Sequence, residues 1–368
     1  MDASGYISLY PYGIEYEGPM AGIPHLGHEL IPLATEIRVG DISMYEITIY
    51  YDDNSSARRR FRLLPLKAGQ DTLKEGGHGD ICEVECYETF RGIDGVVHRR
   101  QETLYLKTSK KRESLFCEAC FQIAGRQILR RFSLGDRVSR IADILRCMGN
   151  CVGFTMDPVI GEGLLSAALQ RHLDQPVKFF ESTVVGVIAE LAALLLLLTG
   201  HLGMNHRDLK LNNIVVREAE KIMEFEVGGN MVRILSVWAV YILDFGVACC
   251  EGGVSATNLI PRSDPCPKAG RDIFQLLTFL YMNRDVRQKL SPQLRLLIEE
   301  WLTLPGRNFA QFLREKGDED GEQWLYYLLT SPKFSAPACE PAAILARLAT
   351  EYPLQVGFGR SGISRSPS

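Results

Sequence analysis

The stretch from Val184 to Gly200, VVGVIAELAALLLLLTG, constrains this chain more than any other segment, because it is apolar around the whole circumference of a helix. Such a helix must be buried, either in lipid or at the centre of a large domain. Its seventeen residues are short for a bilayer span, and Glu190 among them is costly in hydrocarbon. The motif-bearing polar segment that follows, Asn205–Asn213, decides for the core reading, and no membrane partner is expected. With 368 residues, 46% of them apolar and 23% charged, the chain has the material for that core. Its length suits two domains or one large bilobed one. A formal net charge of −4 lacks the basic balance of a general nucleic-acid binder, so no specific nucleic-acid partner is expected.

Upstream of the apolar run the chain reads as strands. Met44–Tyr51 and Ala57–Leu66 flank DDNSS as a β-hairpin within an N-terminal extension, residues 1–70. Gly76–Gly79 (GGHG), Asp80–Glu88 and Glu102–Lys107 then read as glycine turn, strand and strand. Arg112–Arg131 has helical character, and Arg137–Leu145 and Cys151–Met156 read as short strands. DPVIGEG, residues 157–163, breaks the pattern as a linker. Beyond it, helical runs are expected at 181–202, 272–283, 291–303, 308–316, 321–330 and 341–351, interrupted by a β-rich stretch at 214–243. The last residues, 351–368 with GFGRSGISRSPS, are expected to form a disordered tail. The fold class is therefore α+β, with a small β-rich lobe at 71–156 and a larger helical lobe at 157–350.

Ten cysteines, at 82, 86, 117, 120, 147, 151, 249, 250, 266 and 339, occur in a long chain without a secretory signal, so reduced thiols are expected. Cys117-x-x-Cys120 is half of a zinc motif with no second half at the right spacing.

Two motifs carry chemistry. His206-Arg207-Asp208-Leu209 is followed by Asn213, five residues after Asp208, and Asp244-Phe245-Gly246 follows the apolar strand VYIL. In that order, after an apolar helix and after a strand, they resemble the catalytic loop and the metal-binding triplet of protein kinases. The resemblance spans roughly residues 72–285. It implies a bilobed kinase-like fold that uses ATP and Mg²⁺ and phosphorylates a protein substrate. Phosphoryl transfer needs positioning and charge neutralisation more than covalent chemistry. Asp208 matches the carboxylate that accepts the proton of the acceptor hydroxyl. Asn213 and Asp244 match the magnesium ligands, oxygen donors suited to a hard cation. Lys210, two residues after Asp208, matches the lysine that faces the transferred phosphate in Ser/Thr kinases.

The same resemblance extends upstream. Gly77-His78-Gly79-Asp80-Ile81-Cys82-Glu83-Val84 is similar to the glycine-rich phosphate loop, with Cys82 at the third glycine position. Gly77 and Gly79 would approach phosphates and Val84 would cover the adenine. Lys107 matches the strand lysine that holds the α- and β-phosphates, with Lys67 as its competitor. Glu118 matches its helical ion-pair partner, with Glu113 as the alternative. Gln122 stands where such kinases usually carry an apolar residue. Phe154–Pro158 resembles the hinge, with Met156 among the cofactor-binding positions. Asp272 matches the aspartate that opens a central helix and braces the catalytic loop.

Two features depart from the family pattern. Asp208 and Asp244 lie thirty-six residues apart, and the intervening segment reads as an enlarged hairpin turning at Gly228-Gly229. Similar expansions occur in haspin-like kinases and in divergent kinases of large DNA viruses. The segment from Gly246 to Asp272 is short and lacks A-P-E. Arg207 is a candidate for binding a phosphate on Ser255, Thr257 or Ser263. The expected activity is that of a Ser/Thr protein kinase, inside a cell in cytoplasm or nucleus (a host cell, for a viral protein). A pseudokinase that binds nucleotide or a partner, and a small-molecule kinase, are the alternatives.

Overall fold

The computed structural model describes residues 6–8, 15–17, 34–35, 44–50, 56–63, 74–76, 79–91, 96–108, 112–147, 150–159, 161, 163–227, 230–251, 254–256, 264–316 and 318–360. The architecture is mixed α+β with several antiparallel sheets. In chain order the strands begin with β1 (Tyr6–Ser8), β2 (Glu15–Glu17), β3 (Ala34–Thr35), β4 (Met44–Tyr50), β5 (Ser56–Leu63), β6 (Lys74–Gly76), β7 (Gly79–Arg91) and β8 (Val97–Thr108). Helix α1 (Arg112–Arg130) precedes β9 (Ile141–Cys147) and β10 (Asn150–Met156). Then come β11 (Gly163–Leu164), α2 (Leu165–Arg171), α3 (Val177–Leu202), β12 (Ile214–Val227), β13 (Asn230–Ile242), β14 (Cys249–Cys250) and β15 (Val254–Ser255). The rest is mostly helical: α4 (Arg271–Met282), α5 (Arg284–Lys289), α6 (Pro292–Trp301), α7 (Phe309–Lys316), α8 (Asp318–Thr330) and α9 (Pro341–Glu351). Two short strands, β16 (Thr303–Leu304) and β17 (Arg307–Asn308), pair between α6 and α7, and β18 (Val356–Arg360) closes the described chain.

The chain divides into two compact units. Unit 1 comprises Met1–Gln127, Val138–Val159 and Asp244–Pro261, and unit 2 comprises Ile128–Arg137, Ile160–Leu243 and Arg262–Ser368. The sequence boundary at 156/157 lies close to one of these junctions. The excursions at 128–137 and 244–261 could not be read from composition, because they depend on which unit a segment packs into.

Unit 1 is built on an antiparallel sheet ordered β3-β4-β5-β7-β8-β10-β9, with β6 beside β7. Gly76 pairs with Gly79 across the β6–β7 turn, and β7 runs against β8 from Asp80↔Thr108 to Arg91↔Val97. The β4–β5 hairpin is not a separate extension: β5 pairs with β7 from Ala57↔Phe90 to Leu63↔Val84. A boundary at residue 70 thus cuts a continuous sheet. Strand edges left bare must find partners, and that demand joins segments distant in sequence.

Unit 2 is centred on α3. Its most apolar window is 83% buried, so a helix with the length and composition of a span serves as a protein core. Pro176 precedes its first turn and Gly203, at φ 56°, ends it in the left-handed region, donating its N–H to Thr199 O at 2.8 Å. Gly186 brings the helix close to β13: a Cβ there would lie 2.6 Å from Ser236 Oγ. Glu190, fully buried, accepts from Arg137 Nη1 at 2.8 Å and from Val240 N at 3.0 Å.

The enlarged hairpin forms as expected, with Val227 opposite Asn230 across β12 and β13. Val232, Ile234, Met223 and Phe225 are buried while Arg233, Leu235, Glu224 and Glu226 face outward, the period-two pattern of a one-sided sheet. The expected disordered tail is corrected over Val356–Arg360. That strand pairs with β13 from Ile234↔Val356 to Asn230↔Arg360 and covers an edge that would otherwise be bare. Its two glycines hide the strand from a propensity reading; residues 361–368 lie outside the described residues. A second correction concerns Cys249 and Cys266, each of which is in a disulfide, against the expectation of reduced thiols. Spacing along a chain does not reveal whether a thiol is oxidised.

Candidate functional site

In unit 1 the residues of three separate motifs converge on one ammonium group. Lys107 sits near the end of β8, opposite Ile81 on β7 and Phe154 on β10. Its Nζ lies 2.5 Å from Glu118 Oε1 and 2.9 Å from Asp244 Oδ1, although Asp244 is 137 residues away in sequence. Lys107 and Glu118 are almost fully buried. Burial pulls the lysine pKa down, but the Glu118 and Asp244 charges outweigh it and hold the ammonium above the ordinary lysine range. Burial is also the largest influence on Glu118 and works against its ionisation, with the Lys107 charge opposing it. The ammonium therefore stays protonated between its two carboxylates.

Asp244 takes φ 65°, a left-handed conformation that is rare for a non-glycine residue and clusters at functional sites. Gly246 donates its N–H to Asp244 Oδ1 at 3.4 Å. A Cβ at Gly246 would lie 3.1 Å from Asp244 Oδ1 and 3.2 Å from Glu118 Oε2, so the glycine keeps room for both carboxylates. Phe245 between them is fully buried.

The other cofactor positions expected in unit 1 are placed as follows. Gly79 opens β7; Gly77 and the competing Lys67 lie outside the described residues. Val84 is fully buried on β7, opposite Leu104. Met156 ends β10, half-buried, with its sulfur 3.8 Å from Gln122 Nε2. The Gln122 amide also donates to Ser139 O at 3.0 Å, which explains a buried polar residue where an apolar one was expected. Glu113 lies on α1, and Cys117 and Cys120 are buried on the same helix. Among the described residues there is no cluster of three or more His, Cys, Asp or Glu side chains able to hold a metal.

In unit 2 the loop after α3 is held by backbone hydrogen bonds. Asp272, in the first turn of α4, accepts from His206 N at 2.7 Å and from Arg207 N at 2.9 Å, so the expected brace is present. His206 accepts from Asp208 N at Nδ1 (3.4 Å), which leaves Nε2–H to donate to Leu243 O at 2.9 Å. Asn213 Nδ2 donates to both Asp208 O (2.9 Å) and Asp208 Oδ2 (2.8 Å). Lys210 Nζ lies 2.9 Å from the same Oδ2. The loop thus brings Asp208, Lys210 and Asn213 together. Arg207 takes φ 68°, a second non-glycine residue in the left-handed region.

Two partners in this loop were not anticipated. Arg207, a candidate for binding a phosphate, pairs with the carboxylate of Asp264, and Lys268 Nζ lies 2.5 Å from Asp264 Oδ1. Thr257 and Ser263 lie outside the described residues. Burial acts to raise the Asp264 pKa, but its hydrogen bonds to Lys268 and Arg207 and their charges hold it below the ordinary aspartate range. The available signal was an acid shortly after the DFG triplet with two cations in reach. The second partner is Tyr326 of α8, whose hydroxyl lies 3.4 Å from Asp208 Oδ1. Nothing in the sequence pointed to it.

A cavity of about 340 Å³ in unit 2 is lined by Leu195, Pro267, Arg271 and Glu340 among others. It reaches the loop region through Asn205 and Asp272, and none of the expected catalytic, nucleotide-binding or metal-binding residues lines it.

No protein-family model matches the chain, and no curated protein matches it.

Proposed function

We propose that this chain is an ATP-dependent protein kinase of the Ser/Thr type, with a bilobed kinase-like fold. The observation that carries the reading is Lys107, ion-paired at once with Glu118 and Asp244. In the kinase template the strand lysine, its helical glutamate and the DFG aspartate must all be in place. Here residues that one resemblance matched across 137 positions of the chain meet at one atom.

The residues fit the implied nucleotide and metal by chemistry. Asp244 and Asn213 each carry an oxygen donor of the hard kind magnesium takes, and Asn213 commits its Nδ2 to Asp208. When bound, magnesium would neutralise charge on the nucleotide phosphates. Lys107 would hold the α- and β-phosphates, kept rigid and protonated by Glu118. Asp208 would orient the acceptor hydroxyl. As that oxygen bonds the γ-phosphorus and the bond to ADP breaks, its proton passes to the carboxylate. Lys210, one-third exposed beside Asp208, would face the transferred phosphoryl group. Arg207 is already neutralised by Asp264, so in this reading the loop needs no added phosphate.

Transfer of radiolabelled phosphate from Mg·ATP, comparing the intact chain with Asp208→Asn and Asp244→Asn, tests the reading. Labelling of the chain itself or of a generic basic protein, lost by at least about 100-fold in both variants, is expected. A folded chain that is stabilised by Mg·ATP yet transfers nothing to proteins or small alcohols is instead a nucleotide-binding module.

A further inference from the structure

Asp208 has two carboxylate oxygens, and the loop commits one of them. Oδ2 accepts from Asn213 at 2.8 Å and from Lys210 at 2.9 Å. Among the described residues the one partner of Oδ1 is the Tyr326 hydroxyl, at 3.4 Å. That hydroxyl has no other hydrogen-bond partner among them. Both residues belong to unit 2. Burial first, and then the charge of Asp208, push the phenol pKa above its ordinary range, so the group stays an O–H donor. Glu322, one turn earlier on α8, acts in the same sense, and Arg271 opposes. A neutral hydroxyl donating to the uncommitted oxygen of a carboxylate beside a lysine is the posture an acceptor alcohol has to adopt.

We propose that Tyr326 is a specificity-determining residue of the acceptor site: its hydroxyl occupies the Oδ1 position, and an incoming Ser or Thr hydroxyl must displace it. The inference rests on the phosphotransfer reading of Asp208. A bond of 3.4 Å is at the long, weak limit for a hydroxyl donor, which suits a contact that exchanges. The half-buried ring leaves the exchange accessible from solvent. Acceptors that approach with little binding energy of their own are excluded. Those whose flanking residues contribute binding displace the tyrosine and reach the base.

Tyr326→Phe keeps the ring and removes the hydroxyl. With a serine peptide as acceptor, its KM is expected to fall by about three- to tenfold, the factor that one weak hydrogen bond is worth. The KM for ATP, measured alongside, should move by less than that. An unchanged acceptor KM, or a fall in kcat/KM, overturns the proposal. The contact has its own readout, free of activity. In chain labelled with ¹³C at tyrosine Cζ, the Tyr326 resonance is identified by its loss in Tyr326→Phe, and it should shift when Asp208→Asn is introduced. No shift overturns the proposal whatever the activity. A shift in a wild-type chain that transfers no phosphate removes the phosphotransfer reading, and the proposal with it, while the contact stands.

Discussion

Two lysine–carboxylate pairs in this molecule have the same length and opposite settings. Lys107 and Asp244 in unit 1 lie 2.9 Å apart with the lysine side chain 3% exposed. Lys210 and Asp208 in unit 2 also lie 2.9 Å apart, but that lysine is 34% exposed. Lys107 has a second carboxylate, Glu118, and almost no exposed surface. Among the described residues Lys210 pairs with one carboxylate, and its stem keeps a wet face. In unit 1 the pair is a fixed electrostatic element; removing one member strands another charge in the interior. In unit 2 the carboxylate is held by the Asn213 amide and contacted by the Tyr326 hydroxyl, and its lysine is an adjustable cation on an exposed stem. Distance therefore does not rank ion pairs; burial and the number of remaining partners do.

The largest test of this contrast is Lys107→Met against Lys210→Met. The first leaves Glu118 buried without its cation and should cost about 3–5 kcal/mol, a fall of roughly 10 °C in Tm. The second should stay within about 1 kcal/mol. Equal losses in paired thermal melts would break the comparison. Adding Glu118→Leu to Lys107→Met sharpens it. With both charges replaced by apolar groups, at least about 2 kcal/mol should return, as buried ion pairs exchanged for packed side chains usually allow. A double variant no more stable than the single one would mean that Asp244, not Glu118, suffers most from the missing ammonium.

Smaller effects are expected within unit 2. Asp272→Asn removes one of the two acceptors that hold His206 N and Arg207 N, at a cost of about 2 kcal/mol. Those two amides should exchange with solvent faster than in the wild type. The finest test uses pH. Asp264, with its pKa held below the usual value of 3.8, contributes stability that is present above the unfolded-state pKa. That contribution is lost as pH falls through the lower, folded-state value. The advantage of wild type over Asp264→Asn in urea melts should therefore be full near neutrality and narrow below about pH 4. An advantage that is constant down to pH 3 would show that Asp264 acts through shape and not charge.

What was legible in the sequence followed local rules. Helix spans at 272–283 and 341–351 came close to Arg271–Met282 and Pro341–Glu351, because apolar periodicity, Pro and capping residues act over a few neighbours. The clamp of Asn213 on Asp208 spans five residues, so motif spacing alone brings them together. The Gly228-Gly229 turn predicted the β12–β13 hairpin for the same reason. Lys107, Glu118 and Asp244 were legible by another route, the order of three motifs, and their meeting is a long-range outcome that motif order anticipates without explaining.

Other features depended on closure of the chain. Val356–Arg360 became a strand because β13 offered a bare edge, not because its own residues favour one. The partner of Arg207 became Asp264, and that of Asp208 Oδ1 became Tyr326, 118 residues downstream. Residue order specifies which groups are charged, which face of a helix or strand is apolar, and which chemistry a loop can offer. It leaves open which distant group satisfies a donor or a charge once water is gone. That choice falls to packing, since desolvation is costly only after burial and any acid or hydroxyl that the fold delivers in time can relieve it.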